Sequence, residues 1–191
     1  MNYANEFAVA IHRSRKFNLV TPDFTPQLEK RWLDEKAMHE FPYVIQKEIP
    51  SITVDDISLQ CMSLHLRALT VIEDWLKCPV TYTIGWVSID DGSNLFKFDE
   101  EFITDKLSAP KGFINGSVNI HAWLTLPSME ILDMSLPTSF AVLKNKPEGL
   151  GAVLAKHADS IIGFSYRPML VGEDFLFKTG MAINPFQVCL K

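Results

Sequence analysis

The chain has 191 residues, 47% of them hydrophobic and 21% charged, which favours one domain with a substantial core. Thirteen Phe, four Trp and four Tyr exclude a disordered chain, and a net charge of −5 without a basic block argues against generic nucleic-acid binding. Three cysteines cannot close a disulfide framework, so each thiol has to be explained by packing or by chemistry in a reducing compartment.

The residues after Met1 lack the charged leader and apolar block of a secretory signal, and no uncharged stretch approaches the ~18 residues of a membrane span. A cytoplasmic protein with no membrane partner is expected. Phe7, Ala10, Ile11 and Ser14 fall at helix spacing, ahead of a break at Thr21-Pro22. A second helix is expected from Thr25-Pro26, with Thr25 as N-cap, through Leu28, Trp32, Leu33 and Met38 to Phe41, where Pro42 stops it. Together they make a helical N-terminal part over residues 1–50.

Beyond Pro50, residues Ser51 to Asp56 offer several capping side chains. Apolar residues then recur at 61, 64, 68, 71, 72 and 75, and again at 62, 66, 69, 72 and 76. Two interleaved stripes predict a helix buried on most of its circumference, ending near Lys77 ahead of Pro79. From there the period changes to two. Val80 to Ile89 reads as a strand, Asp90 to Asn94 as a turn, and Leu95 to Phe98 as a short return strand. Residues 99–116 read as a loop or a short irregular helix. In the strand Ser117 to Leu126, Val118, Ile120, Ala122, Leu124 and Leu126 share one face, and Asn119, His121, Trp123 and Thr125 the other. Pro127-Ser128 turns the chain into Met129 to Asp133. A helix around Leu150 to Ala158 is expected, then a strand or hairpin over Ile161 to Met169 and Phe175 to Phe177, turning at Gly172-Glu173-Asp174. The fold class that results is α+β, a single domain with a helical start and a largely antiparallel sheet packed against the cysteine-bearing helix.

Cys61, His121 and Asp133 are the residues able to carry chemistry together. A cysteine is a nucleophile as its thiolate, which a neighbouring imidazolium stabilises. A strand histidine is held rigidly enough to act as base and then as acid. A carboxylate one hairpin away can bond the far ring nitrogen, and the twelve residues from His121 to Asp133, turning at Pro127-Ser128, suit that pairing.

A core helix bearing Cys61, a strand through Gly85-Trp86-Val87, then His121-Ala122-Trp123 and Ile131-Leu132-Asp133 resembles the transglutaminase-like branch of the papain-like cysteine enzymes. The resemblance covers roughly residues 58–135. It implies Cys61 as nucleophile, His121 as general acid/base and Asp133 as orienting acid, in a catalytic core over 51–135. It also implies acyl transfer through a thioester to water or an amine, from a peptide or small acyl substrate. No cofactor or metal is needed for that chemistry. Gln60 or the Cys61 backbone N–H could serve the oxyanion, and Tyr82, Trp86 and Trp123 could line the substrate cleft. The chain departs from the family where Ser58-Leu59-Gln60 replaces the glycine often found shortly before the cysteine.

Blander readings stand beside this one. Cys61 alone could be a small buried hydrophobe, and His121 a core histidine satisfied by Asp133. Cys61 and His65 lie one helical turn apart, the spacing of a two-ligand metal site, although the simpler reading puts His65 off the active face or near the surface. Cys78 and Cys189 read as bystanders. A non-catalytic binding or regulatory module on the same scaffold is the rival function. Oligomeric state is not legible.

Overall fold

The computed structural model describes residues 2–48, 61–109, 119–145 and 147–182. Helix α1, Tyr3–Lys16, starts where the Asn2 side chain accepts the Ala4 N–H at 2.8 Å and carries Arg13, Arg15 and Lys16 in its last turn, which suits the helix dipole. It buries Tyr3, Phe7, Ala10 and Ser14, one stripe at helical spacing, and Asn18 just beyond it is left-handed.

The second helix is displaced from its expected place. Helix α2 spans Glu35–Glu48 and runs through Pro42. Its cap is Asp34, whose carboxylate accepts the Ala37 N–H at 2.8 Å. Thr25 to Leu33 stay irregular because their amides are used elsewhere. Gln27 N–H donates to the Pro127 carbonyl, and Trp32 and Leu33 N–H donate to the buried Glu130 carboxylate. Pro42 forfeits one helical bond, and the helix holds because Phe41 packs in the core against Trp75.

Helix α3, Cys61–Leu76, buries Leu64, His65, Ala68 and Ile72 and closes at left-handed Lys77. Ser63, Arg67, Thr70 and Asp74 are exposed, so the helix is amphipathic and not buried over most of its circumference. The capping residues at 51–56 lie outside the described residues. Strand β1, Thr81–Ile89, turns at Gly92 into the two-residue β2, Asn94–Leu95. Helix α4, Glu100–Ser108, is regular and capped by Asp99, which accepts the Phe102 N–H at 3.0 Å.

Strands β3, His121–Thr125, and β4, Glu130–Asp133, form the expected hairpin. Leu124 pairs with Leu132 and Thr125 with Ile131, a register that carried one step further sets Asp133 against Trp123. His121 and Asp133 are therefore diagonal neighbours on one face and not directly opposite, a separation a long side chain still spans.

The C-terminal part differs most from expectation. Helix α5, Leu136–Lys144, follows β4 at once. The helix expected over 150–158 is instead strand β5, Leu154–His157, because it pairs along β4 from Glu130 to Asp133 and covers that edge. Strand β6, Phe164–Val171, pairs with β1. The strand expected at 175–177 is helix α6, Asp174–Thr179, which buries Phe175, Leu176 and Thr179. An apolar run of three is too short to reveal its period.

The sheet runs β2-β1-β3-β4-β5, with β6 also on β1, and every pairing is antiparallel. Residues of α2, α3, α4 and α6 pack on Tyr82, Ile84, Ala122, Leu124 and Leu132. On the other face Tyr3, Phe7 and Ala10 of α1 pack with Val87, Trp123, Ile131 and Tyr166. Ser14 Oγ accepts the Val171 N–H and Arg13 donates to the Met169 carbonyl, so α1 also covers the outer edge of β6. Among the described residues no helix is long and apolar enough to cross a membrane.

Gly85 holds β1, β3 and β6 together at one point. It pairs with His121 on one side and Pro168 on the other, where a bulge shifts the β6 register. A Cβ there would lie 2.2 Å from the Arg167 carbonyl oxygen and 2.6 Å from the Trp123 ring. Gly85→Ala should therefore destabilise the fold by ~3 kcal/mol or more, since backbone cannot yield as a side chain can. Urea unfolding checks this, and an unchanged midpoint would contradict it.

Candidate active site

Asp133 ends β4 at the corner into α5 and is fully buried. Its Oδ1 accepts the Ser135 and Leu136 N–H groups at 2.8 and 2.9 Å and the Ser135 hydroxyl at 3.1 Å. Its Oδ2 accepts from His121 Nε2 at 2.6 Å and from the Tyr166 hydroxyl at 2.7 Å. The corner that starts α5 thus also aims the carboxylate at the sheet. Burial alone would raise the Asp133 pKa, but the facing His121 charge and these donors hold it well below the usual carboxylate range.

His121 opens β3 and is 1% exposed. Burial alone would lower its pKa. The Asp133 charge and hydrogen bond, with a further contribution from the Cys61 side chain, instead raise it from 6.5 to about 10. Asp133 thus favours the protonated ring over the neutral one. Phe96 stacks on the imidazole at 5.1 Å and 22°, with Trp123 and Tyr166 also packed against it.

Cys61 stands half-buried at the start of the described part of α3, its Sγ 3.9 Å from the carbonyl of Ile120, the residue before His121. His121 Nδ1 makes no hydrogen bond of ordinary geometry. Catalytic hydrogen bonds are often long before substrate binds. Nε2 is tied to Asp133, Nδ1 has no hydrogen-bond partner among the described residues, and Cys61 stands beside the residue that precedes His121, so the structure pairs His121 with Asp133 directly and sets the thiol next to their strand.

His65 is fully buried, neither on the surface nor off the active face. Its Nδ1 lies 2.7 Å from the Cys61 carbonyl, which can only accept, and its Nε2 lies 3.0 Å from the Met134 N–H, which can only donate. These partners fix the neutral tautomer with the proton on Nδ1. No lone pair is left for a metal, so the two-ligand reading with Cys61 has no support in this geometry. His65 acts as a brace between α3 and the Asp133 corner. Burial outweighs the Asp133 charge 3.5 Å away and lowers its pKa from 6.5 to about 4.

The cleft residues are placed differently from expectation. Tyr82 is buried, and its hydroxyl donates to the Met62 carbonyl, clamping α3 to β1. Trp123 is fully buried and donates its Nε1 to the Tyr3 hydroxyl at 2.8 Å. Both are core residues here, with no surface to offer a substrate. Trp86 lines a depression with Val9, Arg13, Arg167 and Met169, which none of Cys61, His121 and Asp133 reaches. Gln60 and Cys189 lie outside the described residues. Tyr166 and Phe96 carry no sequence signal that ties them to His121, since only the β1–β6 and β1–β2 pairings bring them near.

In comparisons with protein-family models, curated proteins and solved structures, no match to the chain was found.

The neutral His65 brace sets an acid limit on stability. Its folded pKa lies below its unfolded value, so its contribution is complete above about pH 6.5 and is lost as pH falls towards about 4, ~3 kcal/mol in all. The raised His121 pKa keeps that group's contribution intact below pH 6.5, and the Asp133 contribution is lost only below its unfolded 3.8. His65→Gln, which can still accept from Met134 but cannot take up the proton, should flatten stability against pH between 6.5 and 4. Thermal melts across that window decide it, and an unchanged slope would remove His65 as the cause.

Proposed function

We propose that the chain is a cysteine hydrolase or acyltransferase of transglutaminase-like, papain-like design, acting on an amide or related acyl substrate. The observation that carries this reading is the polarity of His121, with Nε2 held by a buried carboxylate and Nδ1 left for the Cys61 thiol. The order of the three residues along the chain and the antiparallel sheet beside the cysteine-bearing helix support it further.

The chemistry balances on these residues alone. The thiol proton passes to His121 Nδ1, leaving a thiolate beside the imidazolium. The sulfur attacks the acyl carbon, and the carbon–nitrogen bond breaks as Nδ1–H protonates the departing amine. That leaves a thioester and a neutral imidazole. Water or a second amine then attacks the thioester, gives its proton to Nδ1 and releases the acyl product and the thiolate. Asp133 keeps the ring from turning and stabilises each imidazolium, with Tyr166 and the 135–136 amides holding the carboxylate in turn.

The rival, a binding module on the same scaffold, draws on one observation: the His121 ring is covered in this structure. Alkylation separates the two. Iodoacetamide at neutral pH should modify Cys61 ahead of Cys78, whose thiol burial pushes up to about 11. His121→Ala should slow labelling of Cys61 by about tenfold or more, and Asp133→Asn should slow it less. Peptide mass spectrometry reads the site and the rate. Labelling of Cys61 that ignores His121 would overturn the enzyme reading.

A further inference from the structure

A general acid must touch the leaving group, yet His121 Nδ1 is buried and exposes essentially no surface. Some cover therefore has to move before the proposed chemistry can run. Four rings lie against the His121 imidazole: Phe96, Trp123, Tyr166 and His65. Trp123 is fixed by its bond to Tyr3 and its fit over Gly85. Tyr166 is fixed by its bond to Asp133, and His65 by bonds at both nitrogens. Moving any of these breaks a buried polar contact.

Phe96 differs in each respect. Its side chain is half-buried and carries no polar atom. It follows β2, whose ladder to β1 is only Val87–Leu95 and Ser88–Asn94, beyond a turn in which Asp90 to Asn94 are all exposed and whose base is held by the Ile89 N–H on the Ser93 carbonyl and the Asp90 N–H on the Gly163 carbonyl. Its φ of 60° lies in the left-handed region, a strained place for a bulky aromatic residue. The chain is held again directly after it. The Lys97 ammonium lies 5.2 Å over the Trp86 ring, Phe98 is buried and Asp99 caps α4. Strain, weak pairing and a pinned exit together describe a short hairpin tip that pivots at Phe96.

We propose that residues 91–96 form a substrate-operated gate, with Phe96 as the closing residue that shields His121 until an acyl substrate displaces its ring. The inference rests on the Cys61–His121 reading above and adds how access to that pair is controlled. The substrate group next to the scissile bond then takes the place of a phenyl ring, so the gate favours an apolar or planar group there over a charged one.

Deuterium exchange at the imidazole C2 position, followed by peptide mass spectrometry on the full chain, measures access to each histidine separately. Phe96→Ala should speed exchange at His121 by about tenfold relative to the unsubstituted chain, because stacking and partial burial no longer hold the cover down. Phe96→Tyr keeps a ring in place and should leave His121 slow. His65 should stay slow throughout, which reports that the fold is intact. Exchange at His121 that is the same with and without the Phe96 ring, while His65 stays slow, overturns the gate and leaves the triad reading standing. Cys61 alkylation that ignores His121→Ala overturns the triad reading, and the gate's catalytic role with it, whatever Phe96 does.

Discussion

The Asp133 carboxylate lies where water cannot reach it, and both of its oxygens have to be satisfied by the protein. A buried charge with a missing partner costs several kcal/mol, so the surrounding elements are constrained to deliver donors to it. The start of α5 brings the 135–136 amides to Oδ1, β3 brings His121 to Oδ2, and β6 brings the Tyr166 hydroxyl to the same oxygen. The same corner presents the Met134 N–H to His65 and so ties α3, with Cys61 one turn earlier, into the arrangement. Three separate elements converge on one side chain, and a fourth, α3, is held by the backbone beside it. The raised pKa of His121 follows from that convergence, chiefly through the charge and hydrogen bond of Asp133.

The second constraint is the burial of β3 on both faces. His121 to Thr125 are all buried, so its polar row has to find partners inside the protein. Thr125 shares its hydroxyl with Tyr3 and Thr83, and Trp123 donates to Tyr3. Helix α1 therefore completes the core, closing the polar side of the strand that carries the histidine. Gly85 is the matching concession on β1, where the Trp123 ring and the β6 backbone occupy the space a side chain would take.

Where local pattern and tertiary demand agree, the residues disclose the element. The stripe through Phe7, Ala10, Ile11 and Ser14 gives α1, and the alternation through Ile120, Ala122 and Leu124 gives β3 with its two faces assigned. Where distant groups compete for the backbone, the local reading fails. Thr25 to Leu33 look helical, but Glu130, about a hundred residues away, takes the Trp32 and Leu33 amides. Pro42 looks like a stop, but core packing of Phe41 carries the helix through it. Residues 154–157 become a strand because β4 has an open edge to fill, and nothing in their own composition says so.

The same division runs through the site. The residue types Cys61, His121 and Asp133, their order and the face shared by the last two are properties of the sequence, because strand parity and hairpin length are local rules. Which ring nitrogen meets which partner, the neutrality of His65, the placement of Tyr166 and the Phe96 ring over His121 are decided only by tertiary structure. Each depends on pairings between strands far apart in the chain, and on burial that makes a polar group's protonation answer to its neighbours and not to its type.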